Sequence, residues 1–413
     1  MRTALAGFEG SPGRLRVAGA LGVAGGLIFA VLGFLALQAR ADALADARAH
    51  AEQLVRIQQI SADLVAADSQ FTNGYLTYGT ESAEGLSSYV SSVHDASRGI
   101  AEAAEADPAD TARLAEVNDA LTQYTARVAA ARANNKQGFQ VATGYLRQAS
   151  TLLRSSDSEP NLLPALTDLA TVNAERVDAA FAASRRATWL LAGAALVGLG
   201  LLVTAQLLVA RRSHRVFNIP MAAGTVGAVV ALLVAGSAMA VAQSKASHVK
   251  DSSYAATVAL ANARIDAYLA RSYASITLIY IGTGGDYTTS QEAYQAEVAR
   301  ARTGLEIAAG TGGAAGADEL TAWETTTGEN YDTALQTWTE AADAATADST
   351  NALFTAFEEA TDPVLERESA AVSDGLGTGR GWLLLGGWLV GVFGVVAAAT
   401  SWIGVSQRLE EYR

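Results

Sequence analysis

The sequence predicts an all-α membrane protein with four transmembrane helices and two extracytoplasmic up-down four-helix bundles in a tandem, duplicated arrangement. Three observations predict it. Half of the 413 residues are hydrophobic and only 17% are charged, a balance that a single soluble domain does not show. Uncharged apolar stretches of spanning length stand apart, and the segments between them repeat short motifs at a nearly constant offset. Only 6 prolines interrupt a chain rich in alanine, which favours long helices over strands.

The elements follow in order. Residues 1–16 form a cytoplasmic N-terminus holding Arg2, Arg14 and Arg16. The apolar stretches are 17–39, 188–210, 221–243 and 382–405, and at a rise of about 1.5 Å per residue each crosses roughly 30 Å of hydrocarbon. Between the second and third lies the connector 211–220, with three arginines and no acid, and after the fourth comes the tail 406–413. The positive-inside rule places these short basic or balanced segments in the cytoplasm. Segment 40–187 carries 13 basic and 19 acidic residues and segment 244–381 carries 8 and 20, so both are expected outside. Trp189 and Trp382, each at the outer start of a span, fit an interfacial aromatic belt. Arg14 and Arg16 followed by Ala39-Arg40-Ala41 resemble a secretion signal, but the 23-residue apolar run of 17–39 is long for one, so it is expected to stay as a span.

The two halves read as copies of one unit. Asp63, Ala67, Ser69, Gly79 and Thr80 meet Asp266, Ala270, Ser272, Gly282 and Thr283 at an offset of 203. Later matches fall at smaller offsets: Asp119, Leu121 and Thr122 with Asp318, Leu320 and Thr321, then Glu175-Arg176 with Glu366-Arg367, then the Trp-Leu-Leu runs at Trp189 and Trp382. Shared alanine richness accounts for the alanine matches but not for the ordered Trp, Glu-Arg and Gly-Thr pairs.

Within 40–187, Leu54, Ile57, Ser61, Leu64, Asp68, Phe71, Tyr75 and Tyr78 alternate spacings of three and four, a heptad seam that faces other helices. Helix breaks are expected near 79–82, 107–108 and 155–160, and in the second segment near 282–289, 310–316 and 348–350. Three breaks make four helices, and an even number of antiparallel helices returns the chain to the membrane. No glycine or proline cluster interrupts 37–54 or 172–190, so the outer helices are expected to continue into the spans. Two points stay open. Residues 108–155 are long for one helix, which either overshoots its bundle or bends near Asn134, Asn135 and Gly138. Gly375, Gly377, Gly379 and Gly381 form either a hinge or, as we expect, a membrane-proximal helix that tolerates them.

Chemistry-bearing motifs are missing. With no cysteine and 4 scattered histidines, thiol chemistry and a metal centre are not expected, and no nucleophile with a base at useful spacing or phosphate-cradling loop occurs. No cofactor and no enzymatic activity are therefore expected. A net charge of −13 argues against nucleic acid. Ionisable residues on a seam carry more information, because burying an unpaired charge is costly. Asp68 sits on the first seam; the equivalent offset gives Arg271, with Arg264 one heptad earlier. Arg264 and Arg271 are candidates to hold a small carboxylate between helices, with ordinary ion pairing as the alternative. Tyr75, Tyr78 and Tyr280 fall toward the membrane-distal ends, as packing groups or as a docking surface. On the cytoplasmic side Arg211, Arg212, His214, Arg215 and Phe217 are the candidate contact for a partner, next to an anchoring role at anionic lipid. The spans hold no charged residue, so an ion pathway has nothing to run on. Ala18, Gly22 and Gly26, with Gly387 and Gly391, offer close-approach surfaces for packing among the spans.

Bundles joined straight into spans resemble the sensory halves of bacterial chemoreceptors and sensor kinases, without their large cytoplasmic regions. Four spans, two external bundles and short cytoplasmic segments look like the GlnX-type transmembrane proteins of actinobacteria. That resemblance covers the whole chain and rests on architecture, so no contact residue carries over. It implies a relay in the plasma membrane: a glutamine-binding-type solute-binding lipoprotein reports aspartate or glutamate outside, and a cytosolic Ser/Thr protein kinase, protein kinase G, responds inside. The expected function is thus non-enzymatic signal transduction in nutrient sensing. A membrane scaffold of an envelope complex and a direct small-molecule sensor are the alternatives, and homo-oligomerisation stays open.

Overall fold

The computed structural model describes residues 11–77, 82–137, 141–155, 161–213 and 219–410, and among these every regular element is a helix. In chain order they are α1 (Ser11–Tyr75), α2 (Ala83–Ala106), α3 (Thr111–Asn135), α4 (Val141–Arg154), α5 (Leu163–Ser213), α6 (Ile219–Val249), a π-helical turn (Lys250–Tyr254), α7 (Ala255–Thr283), α8 (Thr288–Gly310), α9 (Ala317–Ala334), α10 (Trp338–Thr346), α11 (Asp348–Gly377) and α12 (Arg380–Glu410). Local chemistry sets several ends. Ser82 caps α2 by accepting from the Gly85 amide at 3.0 Å. Gly284 closes α7 with φ of 68°, a left-handed conformation that glycine adopts at little cost.

The expected breaks at 107–108, 282–289, 310–316 and 348–350 fall where helices end, those at 79–82 and 155–160 reach outside the described residues, and four helices for each of the segments 40–187 and 244–381 is an undercount. Among the described residues each segment has a further break, between α3 and α4 and between α9 and α10. The first resolves the overlong helix in favour of a bend: Asn135 ends α3 and its side chain donates to the Tyr75 carbonyl at 3.2 Å. The second has no glycine or proline to announce it. There the Trp338 indole N–H donates to the Leu278 carbonyl at 2.6 Å, and the ring lies against Gly282, where a Cβ would stand 2.3 Å from it. A tertiary contact, not a local breaker, ends α9. The glycine run before the fourth span also differs from expectation, since the helix stops between α11 and α12 with Gly379 at φ of 103°.

The described residues cluster into two compact units. One draws on the described residues within Met1–Arg48, Val177–Ser247 and Asp374–Arg413, the other on those within Ala49–Arg176 and His248–Ser373. In the first unit, four helices are long and apolar enough to cross a membrane. Large apolar side chains such as Leu35, Leu196, Leu233, Trp189 and Trp402 face outward from it, as in a membrane protein. Small residues let the backbones meet: a Cβ on Gly26 would stand 2.6 Å from the Ala398 amide nitrogen and 2.7 Å from the Gly394 carbonyl, and one on Gly25 2.8 Å from the Gly198 carbonyl. Gly22 and Gly26 serve as expected, whereas on α12 the tight position is Gly394; Gly387 and Gly391 make ordinary contacts. In the same unit Arg40, fully buried, donates to the Ser184 carbonyl at 3.1 Å, Thr188 Oγ1 at 2.8 Å and Gln243 Oε1 at 3.0 Å, tying α1 to α5 and α6.

In the second unit segments 40–187 and 244–381 share one hydrophobic core, running from Ile57 and Phe71 through Tyr124 and Leu166 to Leu278, Trp323 and Phe357. Its axis is a parallel pair, α1 beside α7. Gln58 donates to Asn262 at 3.0 Å and, further along both helices, Thr72 donates to Ser272 at 3.3 Å. On the heptad seam of α1, Asp68 accepts from Ser272 of α7, so the seam faces a helix of the other segment as well as its own, and two separate bundle cores do not describe this unit.

Candidate functional site

Two polar constellations interrupt that core. In the first, Asp68 is 1% exposed and accepts from Tyr124 Oη at 3.0 Å, from Ser272 Oγ at 2.5 Å and from the Arg154 guanidinium. Burial works against the Arg154 charge, but Asp68, with Tyr273 and Tyr124 beside it, more than offsets this and holds the guanidinium above its ordinary range. Burial first, then the Asp68 charge, push the Tyr124 phenol well up, so it stays a neutral donor. Helices α1, α3, α4 and α7 all contribute, and every charge has a partner. This network ties helices together.

The second constellation opens to solvent. A cleft of about 540 Å³ runs between α1 and α2 on one side and α7 and α11 on the other. Arg271 lines it while only 7% exposed. Its guanidinium donates to Asn351 Oδ1 at 2.9 Å and lies 4.7 Å from the centre of the Phe354 ring. Asn73 also donates to Asn351 Oδ1, at 3.0 Å. No carboxylate pairs with Arg271 among the described residues, and burial lowers its pKa, an effect that the more distant Glu358 and Tyr268 only partly oppose. Gln70, Asn73, Thr77, Ser88 and Thr355 supply neutral hydrogen-bonding groups to the walls, and the exposed carboxylates of Glu84, Asp348 and Glu359 stand around it.

The sequence-predicted residues separate. Arg264 and Arg271 do not act as a pair, because Arg264, 6% exposed, is engaged by Asp362. Tyr75 is half-buried, bonding Thr143 at 3.2 Å and meeting Phe71 edge to face, so it packs. Tyr280, also half-buried, lines a smaller groove with Arg147, Arg154 and Tyr273. Arg211 is exposed. Tyr78, His214, Arg215 and Phe217 lie outside the described residues, as does the side chain of Arg212. Sequence reasoning missed Arg154, Asn351 and Asn73. The one available signal for Arg154 was Asp68 itself, a carboxylate on a seam that required a cation.

Residues 43–182 match the family model of an actinobacterial sensor domain. The match supports a sensor protein of actinobacteria. The matched stretch takes in the Asp68, Tyr124 and Arg154 network and the α1 and α2 wall of the cleft, whereas Arg271, Asn351 and Phe354 lie beyond it. No curated protein and no solved structure matches the chain.

Proposed function

We propose that this protein is a non-enzymatic transmembrane signal transducer of the plasma membrane. Its external unit senses amino-acid availability, aspartate or glutamate, through a solute-binding lipoprotein, and its spans pass the state of that unit to a cytosolic Ser/Thr protein kinase. The external segments face the extracytoplasmic side and the connector 211–220 the cytosol, and the two segments descend from one duplicated unit. The observation that carries the reading is α1: a single helix, Ser11–Tyr75, supplies both an apolar spanning stretch and the Asp68 seam inside the sensor-domain match. Helix α5, Leu163–Ser213, does the same at the far end of that match. A helix without a break is stiff in torsion and length, so a ligand or partner that prefers one arrangement of the outer helices biases the spans by its differential affinity. The duplication gains support from the extra helix breaks, which fall at corresponding points of both halves.

The test is capture of the full chain in lipid nanodiscs by candidate solute-binding lipoproteins, with and without aspartate or glutamate. Amino-acid-dependent capture, lost when the outer surface is blocked, is the expected result. Capture that ignores the amino acid under all conditions favours a scaffold instead. Replacing Arg211, Arg212 and Arg215 by Gln, with insertion verified, is expected to silence the kinase response while leaving external capture intact.

A further inference from the structure

We propose that the Arg271 cleft is itself a receptor site, for a small zwitterion that carries one carboxylate and one ammonium group. This goes beyond the relay, because it makes the chain bind a solute directly, and it rests on the external unit alone.

The floor of the cleft calls for an anion. Two other buried arginines of this unit have carboxylates: Arg154 has Asp68 and Arg264 has Asp362. Arg271 is as deeply buried, and among the described residues its direct partners are the neutral Asn351 oxygen and the face of Phe354, with Glu358 acting on it only from further away. Removing a guanidinium from water without an ion-pair partner is costly, and a planar fork with donors to spare matches a carboxylate in two-point geometry. A ligand carboxylate on Arg271 supplies the missing charge.

The walls decide the rest of the ligand. Glu84 on α2 and Asp348 and Glu359 on α11 are exposed carboxylates that line the same cleft. An ammonium group on the ligand meets them favourably, while a second carboxylate meets like charge. Dicarboxylates are therefore disfavoured, and so are simple amines, which face the cation at the floor. Gln70, Asn73, Thr77 and Ser88 offer hydrogen bonds along the walls, which favours a polar ligand over a hydrocarbon-like one. A volume of about 540 Å³ suits a small organic molecule with its hydration, not a polymer. With Arg264 occupied by Asp362, one carboxylate is all the site reads.

The experiment is titration calorimetry on the full chain in nanodiscs. The probes are glycine, serine and glutamine as zwitterions, glycine betaine as a zwitterion whose ammonium cannot donate, succinate and aspartate as dicarboxylates, and acetate and ethanolamine as half-ligands. Saturable binding by the zwitterions, weakened or lost for the half-ligands and dicarboxylates, is the expected pattern; betaine shows whether the ammonium is read by charge or by hydrogen bonding. Arg271→Gln is expected to weaken binding by about 30-fold or more. Should that variant unfold, the exposed pair Asp348→Asn and Glu359→Gln gives an independent reading, since it is expected to weaken zwitterions and admit succinate. Absence of saturable binding by every probe, a preference for dicarboxylates in the unaltered protein, or undiminished binding by a folded Arg271→Gln protein overturns the proposal. None of these results touches lipoprotein capture, which is tested separately.

Discussion

A carboxylate on a helix seam must find donors for its lone pairs, and Asp68 finds three, on Tyr124, Ser272 and Arg154. The position of Asp68 on a seam was legible from spacing alone. Its partner was not, because Arg154 lies 86 residues away beyond several turns of chain whose folding back no local pattern records. Asp68→Ala leaves Arg154 buried without its counter-charge and is expected to cost about 3–5 kcal/mol, measured as the unfolding free energy of the full chain. Adding Arg154→Met is expected to restore part of that loss, because it removes the stranded cation. Two half-buried acids at matching positions of the halves carry a pH dependence. Burial, with Asp95 adding to it against Gln59, Arg264 and Arg98, raises Asp63 to about 6. Burial and then Glu297, opposed by Arg300, raise Asp266 to about 7. Each binds its proton more tightly in the folded chain than in the unfolded one, where the pKa is 3.8, so their contribution is full below about pH 4 and is lost as pH rises through 6 and 7. The difference in melting temperature between the unaltered chain and the Asp63→Asn, Asp266→Asn variant is expected to move in the variant's favour from pH 5 to pH 8; a difference that stays flat contradicts the assignment.

Helix ends show which signals a sequence carries at the scale of an element. The ends near Asp107-Pro108 and the glycines of 310–316 were legible because the breaker is local. The end of α9 was not, since it depends on Trp338 reaching Leu278 and Gly282 in another helix. The four long apolar helices were legible from composition, and the glycines of α1 from their spacing, but composition does not say which glycine meets a backbone. Gly26 does, against Ala398 and Gly394. Neither neighbouring backbone can yield by rotating a side chain, so Gly26→Val is expected to force α1 and α12 apart and lower the melting temperature by about 5 °C or more. Gly328, exposed inside α9, has open space where its Cβ would go. Gly328→Ala is expected to stabilise by about 0.5–1 kcal/mol. Equal effects of the two substitutions would remove the packing role of Gly26.

For the whole molecule, an all-helical chain with four apolar helices was legible because hydropathy and period are written in every turn. The single shared core of the second unit was not, because a heptad seam states that a helix has partners without naming them; the Gln58–Asn262, Asp68–Ser272 and Thr72–Ser272 contacts choose α7. The same two features set the mechanical consequence. Helix α1 holds Arg40, clamped by Ser184, Thr188 and Gln243, and 28 residues later Asp68, clamped by Arg154 and Ser272, with no break between. An extra residue turns everything beyond it by about 100° and advances it by about 1.5 Å, so the two clamps cannot both keep register. One alanine inserted between Ala47 and Arg48 is therefore expected to lower the melting temperature by about 5 °C or more and to abolish amino-acid-dependent lipoprotein capture or the kinase response. The same alanine inserted between Thr378 and Gly379, where α11 and α12 are already separate and Gly379 is left-handed, is expected to be absorbed with little change. If both insertions are tolerated alike, the proposed coupling through α1 fails.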